Sequence, residues 1–247
     1  MIVATMSLEA EVLAALSTVL DPELDEPITD LGFVRSIEID EHGVSVHVRL
    51  PTSFCSPNFA YLMVSDARDA LRRVEDIGRV HVFLDDHHDS EKINAGMAAD
   101  AGFRGTFGVE AEDSLDELRL IFQRKAHTAA MERCIEDRLK NSGLAVSDIY
   151  RLRLRNLPGG QFKEALLRRR ATLGLDIAPD SSVFVDELGV PVPPDDIPLR
   201  LRFAKSVRIS IEGNSHFCRG LLATRYEDEE DLATRITNTR LVTRSAS

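Results

Sequence analysis

The sequence predicts an α+β fold: a small N-terminal domain with the order helix, strand, strand, helix, strand, then a mixed, mainly helical C-terminal extension that ends in short strands. Two observations predict this class. Apolar residues recur at helical spacing in two segments of the first domain, and they alternate with polar residues in the segments predicted as strands. The chain has 247 residues and 43% hydrophobic content, which suffices for one large or two small domains with a packed core.

The first helix is predicted from one apolar stripe, formed by Leu8, Val12, Leu13, Leu16, Val19 and Leu20. We expect it to end at Asp21-Pro22, because proline restricts the residue before it. Strands are predicted over residues 34–40 and 44–50, joined by a turn in which Gly43 is available for positive φ. A second helix over residues 59–74 and a third strand over residues 80–84 are expected to be linked as a crossover.

Residues 1–92 are therefore predicted to form the first domain and residues 93–247 the C-terminal extension, a candidate region for docking a client protein. In the extension we expect a short helix and a loop within residues 89–112, then helices over residues 115–139 and 162–173. A proline-rich connector around Pro191 is followed by alternating segments at residues 199–203 and 207–211, which predict two strands.

Composition and charge exclude several classes of protein. The net charge is −11, and acids strongly outnumber bases up to Asp116, so nucleic acid is not an expected partner of the first part. No apolar run is long enough to span a bilayer, and the first residues lack the features of a signal peptide, so we expect a cytoplasmic protein with no membrane partner. Three scattered cysteines do not make a disulfide framework.

Cys55 is the first candidate for a functional residue. It lies in the segment LPTSFCSP at residues 50–57, between a strand end and a helix start, with Ser56 as the expected helix cap. A thiol beside a helix N-terminus is near the positive end of the helix dipole, which favours the thiolate that binds soft metals or attacks electrophiles. The alternative is a small buried core residue.

The turn Asp21-Pro22-Glu23, followed by Asp30 in an Asp-Leu-Gly triplet, is a second candidate. Its carboxylates could either face a cation or cap backbone amides of the turn, and the sequence leaves both readings open.

Three segments together resemble a known family: DPELDEPITDLGFVRSIEID, VSVHVRLPTSFCSPNFAYLMVSDARDAL and VEDIGRVHVFL. They are similar to the metal–sulfur cluster assembly factors, the PaaD- and SufT-like family, over roughly residues 8–84. The resemblance implies the same α+β fold and a role in maturing iron–sulfur clusters or metal centres, not catalysis. It also implies that Asp21, Glu23 and Asp30 fall on the family's acidic positions, Thr52 on its loop threonine and Cys55 on its reactive cysteine.

Further candidate metal ligands lie outside that pattern. His87 follows the third strand in the run DDHHD, and one imidazole with one carboxylate suits iron or zinc, although a solvated loop is the favoured explanation of the run. His216 and Cys218 are two residues apart after a predicted strand, which would place them on one side of the chain. A complete tetrahedral site there would need Cys55 or His87 as well. Cys134 stands at helical spacing with Met131 and is predicted to be core packing.

The segments SEKINAGMAADAGFRGTF and NSHFCRGLLATRY also resemble longer family members associated with bacterial soluble diiron monooxygenases. This likeness implies help in loading or folding a diiron hydroxylase.

Our leading hypothesis is a maturation factor that binds iron or an iron–sulfur cluster transiently through Cys55, alone or across a homodimer, and hands it to a client metalloprotein. One alternative is a metal-free chaperone or scaffold for a multicomponent oxygenase. Another is a thiol enzyme with Cys55 as nucleophile and a histidine base distant in sequence.

Overall fold

The computed structural model describes residues 7–108, 115–227 and 235–240. They form two compact units, of which the first contains the described parts of residues 1–115 and 215–247 and the second residues 116–214. The predicted domain of residues 1–92 lies wholly within the first unit, and a domain boundary at residue 92 stays a prediction.

The first unit contains a four-stranded mixed sheet. Its strands are β1 (Val34–Ile39), β2 (Gly43–Val48), β3 (Arg79–Leu84) and β4 (Ile236–Asn238), in the order β3-β2-β1-β4. β1 and β2 form the predicted antiparallel hairpin, whereas β2–β3 and β1–β4 are parallel. A parallel neighbour needs a crossover connection, and the helix after β2 supplies it as predicted. The α+β class is confirmed.

Helices α1 (Leu8–Leu16), α2 (Pro57–Leu71), α3 (Ser90–Ala98) and α4 (Gly102–Phe107) belong to the same unit as this sheet. α1 is shorter than its apolar stripe. Leu20 pairs instead with Pro27 in an isolated bridge, which starts the turn that carries Asp21. The inward side chains Val44, Val46 and Val48 of β2 are buried in one core with apolar residues of α1 and α2. The two helices and the sheet thus hold the loop between β2 and α2 at the edge of a packed core.

The second unit is built on α5 (Leu115–Asn141), α6 (Gln161–Thr172) and the part of α7 (Ile197–Arg225) that precedes Ser215. The helices predicted over residues 115–139 and 162–173 are confirmed. Cys134 is buried in the core of this unit, as predicted, and burial raises the pKa of its thiol to about 11. Within residues 89–112 the loop expected after the short helix is partly wrong, because α4 forms there, and residues 109–112 lie outside the described residues.

The two strands predicted at residues 199–203 and 207–211 are wrong, because both segments belong to α7. Alternating apolar residues suggested strands, but the buried positions of this segment are Ala204, Ile211 and Ser215, at helical intervals. Proline at position 198 does not oppose a helix, because the first-turn N–H groups need no intrahelical partner. The short terminal strand is β4, where Ile236 lies opposite Ile37.

Within the described ranges, no helix is long and apolar enough to cross a membrane.

Candidate functional site at the Cys55 loop

Cys55 lies in the loop between β2 and α2, as the sequence predicted. Pro57 opens α2 and Ser56 occupies the N-cap position, where its carbonyl accepts the backbone N–H groups of Phe59 and Ala60, each at 3.0 Å. The expected side-chain cap by Ser56 is wrong, since its hydroxyl makes no capping hydrogen bond to the described part of the helix. Cys55 itself is half-buried and packs against the core of the first unit.

The hydroxyl of Thr52 is next to the sulfur atom of Cys55. Thr52 Oγ1 lies 3.4 Å from Cys55 Sγ and also accepts the backbone N–H of Phe54 at 3.2 Å. The hydroxyl can either donate its hydrogen to the sulfur or accept the thiol hydrogen with its second lone pair. Thr52, predicted from sequence as the loop threonine, is therefore placed to donate to a thiolate.

His87 holds the same loop through its backbone. Its Nε2–H donates to the carbonyl oxygen of Cys55 at 2.8 Å, and its Nδ1 accepts the backbone N–H of Asp89 at 3.1 Å. The acceptor role of Nδ1 assigns the ring proton to Nε2. The residue is only 6% exposed. Both ring nitrogens are thus engaged, and a metal could bind His87 only by displacing one of these bonds. Its role as a metal ligand stays a prediction.

Asp21 builds the turn that carries its neighbour Glu23. Asp21 Oδ1 accepts the backbone N–H groups of Glu23 and Leu24, both at 2.8 Å. Burial raises the pKa of Asp21 to about 6, although these two hydrogen bonds favour the carboxylate. The structure therefore gives Asp21 the amide-capping role that the sequence left open. Asp30 is exposed, and its carboxylate accepts a hydrogen bond from the hydroxyl of Thr29.

Cys218 belongs to the surroundings of Cys55. It is half-buried on α7 and packs against the same core cluster as Cys55. The pKa of its thiol is raised to about 11, first by burial and then by the negative charges of Asp21, the Cys55 thiolate and Glu23. Cys55, Asp21 and Glu23 thus act electrostatically on Cys218, and all four residues belong to the first unit.

His216 does not lie on the same side of α7 as Cys218. It is exposed, and it lies on a helix where the sequence predicted a loop after a strand. Two residues apart on an α-helix are separated by about 200° around the axis. The expectation that His216 and Cys218 lie on one side is therefore wrong, and metal binding by His216 stays a prediction.

The end of α7 is fixed to the Cys55 loop by Arg225. Its guanidinium donates to the carbonyl oxygens of Leu50 at 3.0 Å and Asp86 at 2.6 Å, and to Ser53 Oγ at 2.7 Å. Three acceptors from both chain segments beside Cys55 thus converge on one side chain.

The next residue adds further contacts to this end of the helix. Tyr226 donates its hydroxyl to Asp86 Oδ2 at 3.2 Å, and the guanidinium carbon of Arg49 lies 4.4 Å from the centre of its ring. Sequence reasoning missed Arg225 and Tyr226. The signal was present in NSHFCRGLLATRY, but only if the segment is read as a helix, because residues 215, 218, 222 and 225 then lie on one side.

No three side chains of His, Cys, Asp or Glu are grouped to hold a metal ion in the part of the chain that the structure describes. Cys55 Sγ has the Thr52 hydroxyl beside it, and the negative charges of Cys55, Asp21 and Glu23 act on the Cys218 thiol. Such a set can bind a thiophilic cation weakly, with positions left for outside ligands.

Comparison with known proteins concerns this same region. Residues 9–82 match a family described as iron–sulfur cluster assembly protein. An uncharacterized protein from Methanocaldococcus jannaschii is 32% identical over 90 residues, which are 36% of this chain and 93% of the relative. No solved structure gives a significant match.

Proposed function

Because the chain belongs to the iron–sulfur cluster assembly protein family through residues 9–82, we propose that it binds iron or an iron–sulfur cluster transiently at Cys55 and passes it to a client metalloprotein. Iron or cluster is the cargo of this process, and the protein is a maturation factor, not an enzyme.

The observation that carries the proposal is the set of hydrogen bonds that fixes the position of Cys55. Its sulfur has the Thr52 hydroxyl at 3.4 Å, and its carbonyl is held by His87 at 2.8 Å. A fixed loop means that little conformational freedom is lost when the cargo binds.

The small number of cysteine ligands suits the transfer of a cluster better than its stable storage. Stable iron–sulfur clusters are usually held by four cysteine thiolates. The chain has only Cys55, Cys134 and Cys218, and Cys134 is buried in the core of the other unit. The cargo must then complete its coordination with sulfide, water, a second copy of the chain or the client. Ligands that exchange easily allow the cargo to leave.

Asp21 and Glu23 add negative charge to this neighbourhood. Their charges raise the pKa of the neighbouring Cys218 thiol, so the field here disfavours further anions and favours a cation. Asp21 accepts two backbone N–H groups with one carboxylate oxygen, so we assign to it the building of the turn. We assign contact with iron to Glu23, the other acidic residue of the turn.

For the client we propose a diiron protein of the soluble monooxygenase type, following the likeness to PaaD- and SufT-like factors and to their longer members. The second unit offers a place for it. Leu199, Phe203 and Ile209 of α7 are more than half exposed and are interleaved with Arg200, Arg202 and Lys205. An apolar surface with basic residues fits an acidic client surface with apolar patches. The same surface favours the second candidate function, a metal-free scaffold that docks the oxygenase component.

Anaerobic reconstitution with iron and sulfide tests the main proposal. Wild type should develop visible absorption and transfer iron and sulfide to a cluster-free acceptor protein, whereas Cys55→Ser should do neither. Cys134→Ala is the matched control, because it removes a cysteine from the core of the second unit, and it should behave like wild type. Equal absorption and transfer by Cys55→Ser would overturn the role of Cys55, and full client activation by a metal-free Cys55→Ser protein would favour the scaffold.

A further inference from the structure

We propose that Cys218 supplies a second thiolate to the Cys55 site, so that a single chain can hold a thiophilic divalent cation such as Fe²⁺ between two sulfur atoms. The inference deepens the proposed function, and it concerns a residue far outside the family match, which ends at residue 82.

The first argument is the face of α7 on which Cys218 lies. Ser215 is one helical turn before Cys218 and Leu222 is one turn after it, and both are buried in the first unit. Residues three and four apart on a helix lie on the same side. Cys218 therefore stands between two buried neighbours and points to the same side of the helix as they do.

The second argument is how closely this face is fixed to the loop of residues 21–32. Ser215 donates its hydroxyl to the Glu26 carboxylate, and Arg219 donates to the carbonyl oxygen of Asp30 at 2.6 Å. Leu222 is close enough to Gly32 that a Cβ at that glycine would lie 3.2 Å from Leu222 Cδ2. The loop fixed in this way is the one that carries Asp21 and Glu23.

The third argument connects the same face to the cysteine loop. Arg225, about two helical turns after Cys218, binds Leu50 and Ser53, which lie just before Cys55 in the chain. Both cysteines pack against the same core cluster. Ser215, Arg219 and Leu222 thus hold the helix around Cys218 to the loop that carries the acidic turn, and Arg225 holds its end to the loop that precedes Cys55. Cys218 therefore lies on the part of the helix that both loops hold.

The chemistry around Cys218 suits a cation. The charges that act on the Cys218 thiol come from Asp21, Cys55 and Glu23 and are all negative, so the surroundings of this thiol attract a cation. A divalent cation bound to the two sulfur atoms is also attracted by the negative charges of Asp21 and Glu23. Iron, zinc and cobalt bind thiolates, whereas calcium and magnesium prefer oxygen ligands. The remaining coordination positions stay open to sulfide, water or a ligand from the client.

Titration of the purified apo-chain with Co²⁺ under anaerobic conditions tests this assignment, because cobalt bound to thiolate gives a charge-transfer absorption that grows with the number of sulfur ligands. Wild type should show this band with one cobalt per chain. Cys218→Ser should lose about half of the band and weaken cobalt binding by about tenfold or more, since loss of even a supporting group costs about 10–100-fold in affinity. Cys134→Ala should retain both the full band and the affinity.

The outcomes separate this inference from the proposed function. The assignment of Cys218 as a second ligand is overturned if wild type shows no thiolate band. It is also overturned if Cys218→Ser shows the band and the cobalt affinity of wild type. In the latter case Cys55→Ser should still fail in cluster reconstitution, and the proposed function then stands without Cys218. Thermal unfolding followed by circular dichroism shows whether each variant is folded.

A second measurement does not depend on substitution. Oxidised glutathione should form a mixed disulfide with one thiol, and the other thiolate should then displace reduced glutathione to give a Cys55–Cys218 disulfide with the loss of two hydrogen atoms from the protein. Peptide mapping without reductant detects the linked pair. Glutathione attached to Cys55 or Cys218 without any linked pair would contradict the proximity that the proposal needs.

Discussion

The imidazole Nε2–H of His87 donates a 2.8 Å hydrogen bond to the carbonyl oxygen of Cys55, while the backbone N–H of Asp89 binds its Nδ1. His87 therefore contacts the backbone of the cysteine. The histidine sits after β3 and the cysteine after β2, so the bond ties together two chain segments that leave neighbouring parallel strands. We assign to His87 the role of positioning the Cys55 loop.

His87→Ala should make the Cys55 loop less rigid. The carbonyl of Cys55 and the backbone N–H of Asp89, both partly buried, lose their partner together, which should lower the free energy of unfolding by about 1–3 kcal/mol. Alkylation of Cys55 by iodoacetamide, followed by peptide mass spectrometry, should be several-fold faster. His42→Ala, at an exposed histidine of the β1–β2 turn, should change neither quantity. A normal alkylation rate combined with a large loss of cobalt affinity would instead identify His87 as a metal ligand.

Arg225→Ala should release the end of α7 from the cysteine loop. The substitution removes three hydrogen bonds of a half-buried guanidinium, to Leu50, Ser53 and Asp86. We expect a loss of about 2 kcal/mol in unfolding free energy, within the range for bonds to charged groups, and faster alkylation of both Cys55 and Cys218. Arg202→Ala removes an exposed arginine from the same helix and serves as the control. Unchanged alkylation of the two cysteines would show that Arg225 does not govern access to them.

Two glycine substitutions should act in opposite directions. A Cβ at Gly43 would lie 1.9 Å from the carbonyl oxygen of Arg79, so Gly43→Ala must displace the backbone of β2 or β3. We expect a loss of about 3 kcal/mol or more. Gly213 lies within α7, and among the described residues no atom is within 4 Å of the point that a Cβ there would occupy. Gly213→Ala should therefore raise stability by up to about 1 kcal/mol. Urea unfolding of both variants measures these changes, and equal stability of Gly43→Ala and wild type would show that β3 can move away at little cost.

His127 should make the second unit sensitive to acid. It is 2% exposed, and burial together with the positive charges of Arg170 and Arg169 lowers its pKa to about 4 from 6.5. Above pH 6.5 the ring is neutral in the folded and unfolded chains. As the pH falls from about 6.5 to 4, the unfolded chain binds a proton that the folded chain excludes, so up to about 3 kcal/mol of stability should be lost.

The measurement is urea unfolding of wild type and His127→Phe at about pH 7.5 and 5. The stability difference between the two proteins should shift in favour of the variant at the lower pH. His216→Ala, at an exposed histidine, should show the pH dependence of wild type. A parallel pH dependence of His127→Phe and wild type would contradict the buried-histidine account.

Local patterns predicted much of the first unit correctly. The alternation Val44, Val46, Val48 marked β2, and the proline at position 57 marked the start of α2, because these signals depend on neighbours within a few residues. The position of Cys55 between those two elements followed directly. The hydrogen bonds of Thr52 and His87 did not, since spacing in the sequence does not say which atoms of a loop meet.

The sequence by itself determined the α+β class, the hairpin, the crossover and a cysteine at the start of a helix. Only the tertiary structure decided that residues 197–225 form one helix and that Ile236 pairs with Ile37. It also decided that Cys218 shares the surroundings of Cys55. Helical spacing and strand alternation are properties of short segments. The pairing of a short strand with β1, and the choice of helix over strand for α7, depend instead on side chains buried against residues far away in the chain, and that information exists only once the chain has folded.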